Sequence, residues 1–129
     1  MINSNIYNYI DYLDMAADAT HQRSQMITNN IANVSTPGYK RKDVAFENIL
    51  QAAMFGDKTL DAKVAGVLDE REDYSPIAYT DHSVLSYRED DNNVDIHTEE
   101  AYQAENQIRY NALIDLMQQE FSRYKTVLS

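Results

Sequence analysis

Residues 30–39 read Asn-Ile-Ala-Asn-Val-Ser-Thr-Pro-Gly-Tyr, and they fall where a long heptad pattern stops. Pro37 lacks a backbone N–H and drives Thr36 out of helical geometry. Gly38 can take the positive φ that a tight turn after proline requires. Asn33 and Thr36 carry short polar side chains able to bond the orphan backbone groups of a helix end or turn. Tyr39 offers a flat apolar face with a polar tip. A long helix is therefore expected to end here, and the chain to turn in a fixed direction.

Upstream of this stop, Ile6, Ile10, Leu13, Ala17, Thr20, Ser24, Ile27, Ile31 and Val34 follow a 4-3 alternation. That is the a/d seam of a coiled coil. Its middle is small and polar (Ala17, Thr20, Ser24), which lets a partner helix approach closely. Tyr12, Met15, Ala19 and Met26 form a second stripe, so neighbours are expected on more than one side. A helix over residues 3–35 would be roughly 50 Å long.

The C-terminal segment mirrors the first. Thr98 reads as an N-cap, with Glu99 and Glu100 in the first turn, where the helix dipole favours anions. Ala101, Ala104 and Ile108 begin an apolar face. Tyr110, Ile114, Met117, Phe121, Tyr124 and Leu128 then follow at 4-3-4-3-4. The shift near 108–110 reads as a stutter in the seam. The expected fold is mainly α. Long N- and C-terminal helices pair as an antiparallel-type coiled coil around a mostly irregular, acidic middle. The divisions are 1–36, the first coiled-coil helix; 37–97, a turn, short helix and outward-facing loops; and 98–129, the second coiled-coil helix. Within the middle, residues 43–55 read as a short helix, and a hairpin is expected around Tyr79–Tyr87.

Composition agrees with long uninterrupted elements. The 129 residues include only three Gly, two Pro and no Trp. That length suits one domain. The net charge of −10 is uneven: residues 57–100 hold 13 acidic and 4 basic side chains, leaving the two ends almost neutral. Near-neutral amphipathic ends can pack against copies of themselves without self-repulsion. Burying one narrow stripe per helix is a marginal basis for a lone hairpin. Full order is therefore expected only within an assembly, with the second stripes packed on other chains. Nucleic acid is not an expected partner, because phosphates would meet only Lys40-Arg41-Lys42, which reads as a solvated turn.

Chemistry has little to stand on. There is no Cys, hence no disulfide, thiolate nucleophile or Cys-based zinc site. No Gly-x-Ser-x-Gly elbow is present. Gly56-Asp57-Lys58-Thr59 lacks the glycines of a phosphate loop. Asp91-Asn92-Asn93-Val94-Asp95 opens like a calcium loop, but Ile96 and Tyr102 stand where Gly and Glu are needed. The histidines lack metal-ligand spacing. No cofactor and no enzymatic activity are expected. No apolar run reaches the roughly 18 residues of a membrane span, and the N-terminus lacks the pattern of a cleaved secretory signal.

The stretch Asn30-Ile-Ala-Asn33-Val-Ser-Thr36-Pro37-Gly38-Tyr39-Lys40 resembles the signature of bacterial flagellar basal-body rod and hook subunits. Asn92-Asn93-Val94-Asp95 and Asn106-Gln107-Ile108-Arg109-Tyr110-Asn111-Ala112-Leu113 are similar to the FlgB-type proximal-rod branch, covering about residues 1–50 and 90–129. That branch usually has Gly where this chain has Asp91. The resemblance implies a structural subunit that polymerises through its terminal helices into a hollow axial tube needed for motility, with its middle facing outward. It further implies contact with other copies, with other rod subunits and with the base adaptor and ring. Export through the flagellar type III apparatus, without a cleaved signal, to the periplasmic basal body is implied too. Asn33, Thr36, Pro37, Gly38 and Tyr39 then mark an assembly contact. Phe46 and Leu50 resemble an export-gate element, or else pack as a helix face. The alternative function is a soluble helical chaperone or adaptor of an export apparatus.

Overall fold

The computed structural model describes residues 5–45, 78–81, 89 and 91–128. Helix α1 spans Asn5–Ala32, strand β1 Lys42–Val44, strand β2 Ala78–Thr80 and helix α2 Ile96–Leu128. No Gly or Pro interrupts either helix, so the i→i−4 ladders run unbroken for 28 and 33 residues, about 42 and 50 Å. Among the described residues, no helix is long and apolar enough to cross a membrane.

The two helices lie antiparallel. Asn30 near the end of α1 meets Glu99 at the start of α2, and Thr20 meets Asn106 further along. Ile10, Leu13, Ala17 and Ile27 of the expected seam are buried, Ile27 completely. Thr20, Ser24, Ile31 and Val34 are half-buried, and the side chain of Ile6 falls outside the described set. The small, polar middle does what its size suggests. Asn106 Nδ2 reaches across to donate to the Thr20 carbonyl at 2.7 Å, while the Thr20 hydroxyl folds back on Ala17 O.

Several expectations need correction. The second stripe on α1 is not left for other chains alone. Met15, Ala16 and Ala19 bury against Val44 of β1, with Tyr12, Met26 and Leu113 around them. Residues 43 and 44 are strand, not the start of a helix; the rest of that predicted helix, Phe46 and Leu50 included, lies outside the described residues. β2 pairs antiparallel with β1, in the register Lys42↔Thr80, Asp43↔Tyr79 and Val44↔Ala78. The sheet thus joins distant segments, and residues 82–88 of the expected local hairpin lie outside the described set. The α2 cap is Asp95 rather than Thr98. Its carboxylate accepts from His97 N at 3.0 Å and Thr98 Oγ1 at 2.9 Å.

The stutter in α2 also resolves differently. Its inward face is Glu99, Tyr102, Asn106, Tyr110, Leu113, Ile114, Met117 and Tyr124, all buried or half-buried. Ala101, Ala104 and Ile108 point to the opposite side and are exposed, Ile108 at 70%. The change of phase marks two separate faces of one regular helix. Phe121 and Leu128, expected in the seam, are instead 55% and 74% exposed, while Tyr124 between them is half-buried.

Candidate functional site: the knot at the end of α1

The signature turn is built as expected and then tied into the rest of the chain. Asn33 N donates to the carbonyls of Asn29 and Asn30, and Val34 N to Ile31 O, so α1 tightens as it ends. Asn33 Nδ2 donates to Asn29 O at 2.8 Å, and its Oδ1 accepts from Thr36 Oγ1 at 3.2 Å. Tyr39 N then donates to Thr36 O at 3.3 Å across Pro37-Gly38. Gly38 has φ +68°, so Thr36–Tyr39 has the proline and positive-φ glycine of a type II turn. Pro37 and Gly38 are exposed. An added Cβ at Gly38 would meet nothing within 4 Å, so glycine is required there by backbone conformation and not by crowding.

Three asparagines lock this turn, and none stood among the sequence candidates. Asn92 Nδ2 points into the bend and donates to the carbonyls of Asn33, Val34 and Thr36 at 3.1, 3.0 and 2.8 Å. Its Oδ1 accepts from Val94 N. Asn93 continues the sheet edge: its Oδ1 accepts from Arg41 N at 2.7 Å, and its Nδ2 donates to Asp81 O. Asn30, wholly buried, pairs with both backbone groups of Lys42 as a strand would, at 2.8 and 2.9 Å. It also donates to Glu99 Oε2 and accepts from the Tyr39 hydroxyl. Burial, and then the nearby Glu99 charge, push the Tyr39 phenol above its ordinary pKa, which keeps that hydroxyl a donor.

Asp91 supplies the bend that brings the asparagine pair in. Its φ is +61°, the left-handed conformation that Gly adopts freely and Asp tolerates. Lys40 Nζ donates to its carbonyl.

Beside the knot lies an ionic cluster, and here the reading of Lys40-Arg41-Lys42 as a solvated turn fails. Arg41 donates to Glu99 Oε1 at 2.7 Å and to Asp43 Oδ2 at 3.0 Å. Arg23 of α1 reaches Asp43 Oδ1 at 3.0 Å. Both guanidinium groups lie by the ring of Tyr102, at 5.4 and 5.8 Å from its centroid. Glu99 is 1% exposed. Burial works against the Arg41 charge. The Glu99 and Asp43 bonds outweigh it and hold its pKa above the ordinary arginine value. The pairs are largely shielded from water, so removing one partner strands the other. Together these groups fasten α1, the strand pair and the start of α2.

A notch of about 130 Å³ opens further along the helix pair, lined by Thr20, His21, Ser24, Asn106, Gln107 and Tyr110. Asn106 Oδ1 is buried there without a hydrogen-bond partner among the described residues, and the notch has room for water to serve it.

The first part of the knot, from Asn30 to Lys40, lies inside a match to a known family. Residues 15–40 match the model of the flagella basal body rod protein family. Over 122 residues the chain is 37% identical to the flagellar basal body rod protein FlgB of Bacillus subtilis (strain 168), covering 93% of this chain and 92% of that one. The chain belongs to the FlgB family of basal-body rod proteins. It is 28% identical over 127 residues to the FlgB of Borreliella burgdorferi, covering 92% of this chain and 94% of that one. With the FlgB of Borrelia hermsii it shares 27% over 134 residues, covering 92% and 99%. This is a family of structural flagellar rod subunits and not of enzymes.

The missed rod-family residues had weak signals. Asn30, Asn92 and Asn93 stood inside the quoted motifs, but a polar residue's burial cannot be read from its neighbours in sequence. Arg41 looked solvated because its partners Glu99 and Asp43 are set by folding.

Proposed function

We propose that this rod-family chain polymerises through its paired terminal helices into a hollow axial tube, with the acidic middle directed outward. The observation that carries this is the antiparallel α1–α2 pair, closed at one end by a knot of buried asparagines. Such a closure gives every copy the same rigid end, and a repeating contact needs that. Asn33, Thr36, Pro37, Gly38 and Tyr39 act here as the assembly turn. Pro37 and Gly38 present the exposed edge, while Asn33, Thr36 and Tyr39 set its direction. The seam of Ile10, Leu13, Ile27, Ile31 and Val34 against Tyr110, Ile114, Met117 and Tyr124 holds the pair.

The chain acts without a cofactor and without catalysis. Its partners are other copies, other rod subunits, and the adaptor and ring at the base. It reaches the periplasmic basal body through the flagellar type III apparatus, and Phe46 and Leu50 serve the export gate. The chaperone alternative is not favoured: the relatives matched over nine-tenths of the chain are named as rod proteins.

Ile27 is fully buried, so Ile27→Asp buries an unpaired charge. The expected outcome is loss of rod assembly and swimming in cells that carry it as the sole copy. Normal swimming with intact basal bodies would remove the seam from the mechanism.

A further inference from the structure

Two stripes on α2 carry apolar groups that the described residues leave exposed, and they lie on different faces and at different ends. With 3.6 residues per turn, Ala101, Ala104, Ile108 and Ala112 line one stripe, roughly opposite the face that packs on α1. All four are exposed. The second patch is Phe121, Lys125 and Leu128, spaced i, i+4, i+7, and also exposed. Phe121 and Leu128 stand at the 4-3 positions that alternate with Met117 and Tyr124, which are half-buried within the chain.

We infer that the Phe121–Lys125–Leu128 stripe of one copy docks on the Ala101–Ala112 stripe of α2 in a second copy. This rests on the polymer reading above and names its contact. Three features single out a second copy as the occupant. The tail stripe has the heptad spacing of a coiled-coil knob row, and the outer stripe offers small residues beside Ile108 into which large knobs fit. The charges are complementary. Lys125 projects from the tail, whereas exposed Glu100 and Asp115 flank the outer stripe, where Glu105 is already paired with Arg109. The tail patch also continues the seam by which the chain already packs on itself. Because the two patches differ, the contact is heterologous, and repeating it yields a ring or an open helix rather than a closed dimer.

The chain has no cysteine, so site-directed disulfides can be read without background. A chain with Ile108→Cys and Phe121→Cys is made the sole copy in the native bacterium, and purified basal bodies are oxidised. The expected result is a ladder of disulfide-linked copies that either single-cysteine variant lacks. Incorporation without a ladder, or linkage to a different basal-body protein, overturns the docking while leaving the rod reading intact. Absence of the wild-type chain from basal bodies overturns that reading and this inference with it. Ile108→Asp supplies a second readout, because the side chain is exposed within one copy and the fold has no need of it. Unchanged helix content with loss of swimming supports the contact; unchanged swimming overturns it.

Discussion

Asn30 does at one position what a short strand does elsewhere. Its amide satisfies both backbone groups of Lys42, one oxygen of Glu99 and the Tyr39 hydroxyl. Asn30→Ala would remove all four bonds and leave Glu99 to Arg41 alone, at a cost of about 3 kcal/mol; a shift of the urea midpoint followed by helical circular dichroism measures it. The two left-handed residues predict opposite signs. Gly38→Val forces a β-branched residue to φ +68° and should destabilise by about 1–2 kcal/mol, although the site has room for the side chain. Asp91→Gly relieves a strained φ and should be neutral or stabilising by up to about 1 kcal/mol. Thermal melting of the two variants beside the parent chain reads both signs.

At the scale of elements, the start of α2 depends on a titratable cap. Bonds from Thr98 Oγ1 and then from His97 N hold the Asp95 carboxyl below its usual 3.8. A lowered folded pKa contributes stability above the unfolded value and loses it as pH falls through the folded one. Acidification below the carboxylate range should fray the first turn of α2. Asp95→Asn keeps an N-cap but cannot titrate, so its first-turn amide exchange should lack that acid-dependent component. The elements also show why Thr98 misleads in the sequence. Asp95 and Thr98 both suit an N-cap and stand three apart, and folding used them together, with Thr98 as donor to the cap. The heptads of α1 were legible from spacing alone. The phase of α2 was not, because it carries apolar residues on two faces and only contact with α1 shows which one turns inward.

For the whole molecule, protection should follow cover. α1 from Ile10 to Ile27 and its facing residues on α2 are packed, whereas α2 beyond about Phe121 carries exposed apolar groups. Amide exchange on the purified chain should be slowest near Leu13 and Ile27 and fastest in the last two turns of α2. In assembled rods the last turns should slow as well. Equal protection along all of α2 in the free chain would contradict the exposed tail.

Spacing, breakers and charge contain enough information for two long helices, their antiparallel pairing, the stop at Thr36–Tyr39 and a positive φ at Gly38. These depend on periodicity and on local backbone sterics, which neighbouring residues dictate. The burial of Asn30, Asn92, Asn93, Arg41 and Glu99 is of another kind. Each is polar, each is stable in the interior only because a partner from a distant segment satisfies it, and no local pattern announces such a partner. The strand pair is equally non-local, since three residues of β1 acquire meaning only when β2 arrives beside them. Long-range hydrogen bonding therefore decided how the turn is locked, while short-range sterics had already decided that there would be a turn.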